Sequence, residues 1–233
     1  MENSGFKYGK NGDEFKPLNE MLLSDVRQTF WVKIQPDGST REFRFDDLHK
    51  RVAELVLNST VPEDVRTGFD TARNLYLYSW FVYRFLTVAE LQAYAAFEYA
   101  LGKRIEVENI GHVRGLKRRF DFAIQKGWLR ADGVRRYRRS AKRRKEFIEE
   151  QERFHREYLK LEVSRQNPTL KTEDEYASDY LEGLKSAIPH LRNSIAHGTP
   201  MLAGGTVVTI EICCDLINQL FPEIPQGKRE RNV

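Results

Sequence analysis

The stretch from Phe69 to Leu101 constrains the fold more than any other part of the sequence, because it contains neither glycine nor proline. These two residue types disfavour the interior of a helix most strongly. Apolar side chains recur through the stretch every three or four positions, for example at Phe69, Ala72 and Tyr76. This spacing is typical of helices that bury one face. It predicts one long kinked helix, or two helices that meet without a loop.

The same periodicity predicts four more helices in the second half of the chain. They cover approximately residues 116–127, 140–162, 172–197 and 206–221. In the third of these we expect a kink or a restart at Pro189, because proline removes a backbone donor. The last could begin as a strand, since residues 207–212 alone also fit one. These elements predict an all-α fold, organised as a helical bundle.

Residues 1–60 have a different pattern and predict a small N-terminal α/β appendage. A short helix is expected within residues 17–30. Two alternating runs, at residues 31–34 and 41–45, are separated by a Pro-Asp-Gly turn sequence and predict a β-hairpin. Asp46 can cap the helix that follows. The predicted division is therefore an appendage with hairpin and helix at 1–60, a bundle at 61–222 with a charged helical insertion at about 130–165, and a flexible tail at 223–233.

Several features predict a cytoplasmic protein. The first fifteen residues carry charges and no apolar core, so we expect no secretory signal. The most apolar stretch is interrupted by Arg84, Glu90 and Glu98, so we expect a buried helix and no membrane contact. The two cysteines, Cys213 and Cys214, are neighbours, which rarely form a disulfide with each other. Without a targeting sequence, a reducing compartment is the default expectation.

Positive charge is concentrated in one segment of the chain. Residues 103–145 contain sixteen basic and four acidic side chains, so the segment carries +12, whereas the whole chain carries +4. The remaining residues therefore sum to −8. Such an uneven distribution suggests that a polyanion binds near one face, and nucleic acid is the first candidate.

The densest part of this segment predicts the RNA-binding residues. Contacts of basic side chains to phosphate give salt-sensitive affinity without sequence choice, and an aromatic ring among them can stack on a base. The predicted contacts are Arg135, Arg136, Tyr137, Arg138, Arg139, Lys142, Arg143, Arg144 and Lys145. The alternative interpretation is an ordinary solvated helix face, and the sequence leaves both open.

Common catalytic motifs are absent from the sequence. It has no glycine-rich phosphate loop, no His-Glu-x-x-His, no Cys-x-x-Cys and no Gly-x-Ser-x-Gly, so neither a metal site nor a cofactor is expected. The segment Leu191–Gly198, with the sequence LRNSIAHG, is what remains. On a helix Asn193 and His197 lie on one face, and the long side chain of Arg192 can reach them.

This segment resembles the signature of the HEPN superfamily, in which an arginine is followed by four to six residues and a histidine. Asparagine after the arginine and glycine after the histidine agree with that signature. Spacing alone is not discriminating, because Arg44 and His49 share it. The resemblance covers roughly residues 62–221 and implies an up-and-down bundle of four or five helices, with the motif near the end of a late helix.

The resemblance also implies an activity. Members cleave RNA without a metal and leave 2′,3′-cyclic phosphate ends, usually in homodimers that pair two motifs, and a toxin or antiviral defence effector is the implied setting. The implied catalytic residues are His197 as acid or base, Arg192 as phosphate clamp and Asn193 as orienting group. The implied partners are tRNA or another single-stranded RNA, and an antitoxin or a defence-system protein.

Three alternatives remain open from the sequence. The chain could be a non-catalytic HEPN module that binds RNA or a partner protein. Arg192 and His197 could be structural residues that pair with glutamates or carbonyl groups. The chain could also be a helical scaffold in which both residues are incidental.

Overall fold

Helices form most of the chain. The computed structural model describes residues 13–111, 113–159, 171–198 and 205–223. The α-helices within these ranges are α1 (Phe45–Ala53), α2 (Glu63–Tyr78), α3 (Phe85–Val107), α4 (Leu116–Gln125), α5 (Arg135–Phe154), α6 (Glu173–Ala196) and α7 (Thr206–Leu220). Strands β1 (Val32–Ile34) and β2 (Thr40–Glu42) form an antiparallel sheet. The predicted mostly helical fold with an N-terminal hairpin is therefore confirmed.

The long stretch without glycine or proline forms two antiparallel helices, α2 and α3. Gln92 Nε2 of α3 donates to the carbonyl oxygen of Gly68 in α2 (3.1 Å), and Tyr99 Oη donates to the Asp64 carboxylate (2.7 Å). The prediction of one kinked helix, or of two without a loop, is wrong, because residues 79–84 form a turn between them.

The appendage holds this turn in place. The Asp25 N–H donates to the carbonyl oxygen of Trp80 (2.8 Å), and Gln28 Nε2 donates to that of Ser79 (3.0 Å). The Asp25 carboxylate in turn accepts a hydrogen bond from the Tyr83 N–H (3.3 Å). Tertiary contacts therefore stabilise a break for which the local sequence contains no glycine or proline.

The core lies around α3 and α7. Fully buried side chains from four helices meet there, among them Phe69 of α2, Phe97 of α3, Phe120 of α4 and Leu216 of α7. The rings of Phe97 and Phe120 contact edge to face with their centroids 5.3 Å apart. Because α7 is helical from Thr206 onward, the alternative of a strand over residues 207–212 is excluded.

The hairpin and α1 lie within residues 1–60, the segment predicted to be an appendage, and Leu48 and Val52 of α1 belong to the same core as α2, α3 and α7. Two local differences from the predicted elements occur here. The predicted helix within residues 17–30 is replaced by two short 3₁₀ turns, Leu18–Glu20 and Val26–Phe30. Asp47, and not Asp46, caps α1, since its carboxylate accepts from the Arg44 N–H (3.1 Å). Asp47 also pairs with Arg41 of β2 (2.6 Å), so it connects the hairpin to the helix.

Helices α5 and α6 differ from their predicted limits. Helix α5 begins at Arg135, about five residues earlier than predicted, and a π-helical turn, His155–Leu159, follows it. Helix α6 continues through Pro189, so of the expected kink or restart the restart is excluded. The end of the predicted insertion, residues 160–165, and nearly all of the predicted tail, residues 224–233, lie outside the described residues.

No described helix is long and apolar enough to span a membrane.

Candidate functional site

Arg192 and Asn193 lie together near the end of α6. The Nη1 atom of Arg192 donates to Oδ1 of Asn193 (3.1 Å), and its Nη2 atom lies 3.1 Å from Oε2 of Glu98 in α3. About a third of the Arg192 side chain is exposed. The guanidinium is therefore oriented by partners on two helices and still accessible from solvent.

His197 ends the helix one turn later. It is the C-terminal cap residue of α6, and its N–H donates to the carbonyl oxygen of Asn193 (3.0 Å). Gly198 follows with a φ of +84°, a conformation that suits glycine and ends the helix as predicted. The His197 residue is exposed, and no described residue forms a hydrogen bond with its ring.

A cleft of about 430 Å³ opens beside Arg192 and Asn193. It is lined by Glu98 of α3, residues 114–118 at the start of α4, and Pro189, Arg192 and Asn193 of α6. A salt bridge between Lys185 of α6 and Asp121 of α4 (3.0 Å) holds the two walls together. His197 is not a lining residue, so the structure brings two of the three predicted catalytic residues into the cleft.

The α4 wall of the cleft carries three exposed cations, Arg114, Lys117 and Arg118. Within the described part of the chain, no carboxylate lies within 4.0 Å of their side-chain nitrogens. Lys117 and Arg118 belong to the first turn of α4, the end of a helix at which positive charge is unfavourable. With Arg192 opposite them, four cationic side chains and one carboxylate, that of Glu98, line the cleft.

Tyr137 does not present a stacking ring, and that prediction is wrong. Its side chain is only 6% exposed. The ring packs against Tyr180 of α6 with centroids 5.2 Å apart, and its hydroxyl lies 3.2 Å from the carbonyl oxygen of Glu173. Tyr137 therefore joins α5 to α6.

Five of the predicted basic contacts form ion pairs, and three of these pairs join different helices. Arg135 Nε lies 2.7 Å from Oδ1 of Asp215, Arg139 pairs with Glu211, and Arg144 Nη2 lies 3.1 Å from Oε2 of Glu173. These pairs connect α5 to α6 and α7. Lys142 and Lys145 pair with Glu146 and Glu149 within α5 and are still exposed. The remaining predicted contacts, Arg136, Arg138 and Arg143, are exposed and have no carboxylate partner among the described residues.

Sequence reasoning counted the cleft cations within the basic segment and did not assign them to a site. A detectable signal was present, because Lys117 and Arg118 follow Leu116, the first residue of a predicted helix. Glu98 carried no comparable signal, since its contact with Arg192 joins distant parts of the chain.

Comparison with known proteins finds no relative. No family model matches this chain, and no curated protein and no solved structure is significantly similar to it.

Among the residues that the structure describes, no three His, Cys, Asp or Glu side chains are grouped as a metal site requires.

Proposed function

We propose that this protein is an endoribonuclease of the HEPN type, which cleaves RNA without a metal by attack of the 2′-hydroxyl on the adjacent phosphate. The observation that carries the proposal is the position of Arg192 and Asn193, which line a cationic cleft while His197 lies exposed one helical turn away. Arginine and histidine are the groups that this chemistry requires, as phosphate clamp and as proton carrier.

Arg192 would bind the scissile phosphate. A guanidinium can donate two parallel hydrogen bonds to the non-bridging oxygens, and these strengthen as negative charge develops in the transition state. Asn193 accepts from Arg192 through Oδ1, and no described residue accepts from its NH₂ group, which can donate to a phosphate oxygen.

His197 would move the protons. As a base it removes the proton of the 2′-hydroxyl while O2′ forms a bond to phosphorus, and as an acid it protonates O5′ while the P–O5′ bond breaks. The products are a 2′,3′-cyclic phosphate and a 5′-hydroxyl. One chain supplies one such motif, so pairing two motifs in a two-fold dimer would provide a base and an acid together.

The exposed cations of α5 would extend the contact with RNA beyond the cleft. Arg136, Arg138, Lys142, Arg143 and Lys145 form an exposed basic face. Contacts of this kind neutralise phosphates and make binding weaken as salt concentration rises. The proposed substrates are tRNA and other single-stranded RNA.

A non-catalytic RNA-binding module is the second candidate function. It is favoured by the salt bridge between Arg192 and Glu98, which gives Arg192 a structural role, and by the lack of a described group that orients the His197 ring. Catalytic histidines are commonly oriented by a second hydrogen bond.

Cleavage of labelled total tRNA and of a single-stranded RNA in EDTA tests the proposal. We expect wild type to produce cyclic-phosphate ends, and His197→Ala and Arg192→Ala to reduce the rate about 10²–10⁴-fold. His190→Ala and Arg153→Ala are matched controls at exposed positions outside the cleft and should cleave normally. Intact RNA with wild type would favour the binding module. Cleavage unaffected by both catalytic substitutions would exclude the motif as the site.

A further inference from the structure

The cations of the basic segment fall into two groups, those that form an ion pair with a described carboxylate and those that do not. Half of the sixteen basic residues between Lys103 and Lys145 contact a carboxylate. These are Lys103, Arg104, Arg130, Arg135, Arg139, Lys142, Arg144 and Lys145. Of those without such a contact among the described residues, Arg114, Lys117 and Arg118 line a single cleft. Three of the eight cations without a contact to a described carboxylate therefore lie together in this cleft.

The composition of the cleft indicates what it binds. Three cations without a carboxylate partner in the described part of the chain lie here beside Arg192. A ligand with several negative charges would compensate them, and backbone phosphates supply one charge per nucleotide. A volume of about 430 Å³ lies within the usual range for small-molecule sites, so it admits a segment of nucleotide size and excludes a duplex.

We propose that the cleft between the start of α4 and the end of α6 is a binding site for the backbone phosphates of single-stranded RNA, formed by Arg114, Lys117, Arg118 and Arg192. The inference rests on the proposed function, since it places phosphates of the substrate next to the one that Arg192 clamps. It also assigns a role to three cations that the Arg-x4-His motif does not include.

Glu98 competes with the phosphate in this site. Its carboxylate forms a salt bridge with Arg192, in which Nη2 of Arg192 lies 3.1 Å from Oε2 of Glu98. Glu98 also lines the same cleft. A bound phosphate would take over the Arg192 guanidinium and experience repulsion from the nearby carboxylate. Removing the charge of Glu98 should therefore strengthen RNA binding, whereas removing the cations should weaken it.

A fluorescein-labelled 12-nucleotide RNA with 2′-O-methyl groups separates binding from cleavage, because it lacks the attacking hydroxyl. Fluorescence anisotropy would measure its Kd for the full-length chain over a series of salt concentrations. We expect Lys117→Ala/Arg118→Ala to raise the Kd on the order of 10-fold and to reduce the slope of log K against log salt by about 1.4. Glu98→Gln should lower the Kd by roughly 5-fold.

The matched control is Lys50→Ala/Arg153→Ala, which removes one lysine and one arginine from exposed positions of α1 and α5 outside the cleft. It should change the Kd less than 3-fold, which corresponds to about 0.65 kcal/mol at 25 °C. Equal Kd values for the two double variants, or no effect of Glu98→Gln, would overturn the inference. A blunt duplex that binds as tightly as the single strand would overturn it as well.

Failure of the inference and failure of the proposed function give different results. If wild type cleaves natural RNA but Lys117→Ala/Arg118→Ala binds the methylated RNA as wild type does, the phosphate site is wrong and the nuclease stands. If wild type leaves RNA intact but the cleft variants change the Kd as expected, the site stands and the catalytic proposal falls.

Discussion

Burial determines the reactivity of the two adjacent cysteines at the residue scale. Cys213 and Cys214 are free thiols inside α7 with no exposed surface. Burial raises the pKa of the Cys213 thiol well above its usual value and raises the pKa of Cys214 to about 12. The thiolate is the nucleophile, so both residues should be inert in the folded protein.

Alkylation by iodoacetamide at pH 8 tests this expectation. A thiol with a pKa near 12 is about 10⁻⁴ ionised at pH 8, against roughly a quarter for a free thiol, so labelling of Cys214 should be about 10³-fold slower. The labelling rate of Cys214 should rise about tenfold per pH unit below pH 12, because the thiolate fraction rises by the same factor. Mass spectrometry measures both rates, with protein in guanidinium chloride as the control. Equal rates in native and unfolded protein would contradict the burial of α7.

At the scale of elements, one buried carboxylate contributes to the docking of α5. Asp215 of α7 accepts from the backbone N–H of Arg135 (2.7 Å) and from its Nε atom (2.7 Å). Burial raises the pKa of the Asp215 carboxyl, and the hydrogen bonds from Arg135 oppose that shift. Arg135 therefore has a structural role, although it lies in the basic part of α5 that was predicted to contact RNA.

Substitution of two neighbouring arginines distinguishes structural from exposed charge. Arg135→Ala leaves the buried Asp215 carboxylate without its side-chain donor, so we expect the free energy of unfolding to fall by about 1–3 kcal/mol. Arg136→Ala removes an exposed cation and should change it by no more than about 0.5 kcal/mol. Urea unfolding followed by tryptophan fluorescence measures both. Equal effects would mean that the contact with α7 contributes nothing to stability.

At the scale of the whole molecule, the proposed chemistry needs two copies of the chain. Each copy offers one Arg192 and one His197, and acid and base must act on the same phosphate. We expect sedimentation equilibrium to give twice the chain mass of 27.3 kDa at concentrations where RNA is cleaved. A mass of one chain under those conditions would show that a single motif suffices.

Residues close in sequence determined most of the secondary structure. Helix hydrogen bonds join residues four positions apart, so apolar periodicity was sufficient to predict α4 and α7 and to place the motif at the end of α6. A Pro-Asp-Gly turn was sufficient to predict the hairpin, and Gly198 to predict the end of the helix. The sequence by itself therefore determined the elements and the positions of Arg192, Asn193 and His197 along them.

The tertiary structure decided which of these residues have partners. Asp25 and Gln28 stabilise the break between α2 and α3, Tyr137 is buried against α6, and Glu98 pairs with Arg192 across two helices. Each contact joins residues far apart in the chain, and no local pattern encodes it. Ion pairs form wherever packing brings opposite charges within a few ångströms. The fold therefore left Arg114, Lys117 and Arg118 together in one cleft, without a carboxylate partner among the described residues.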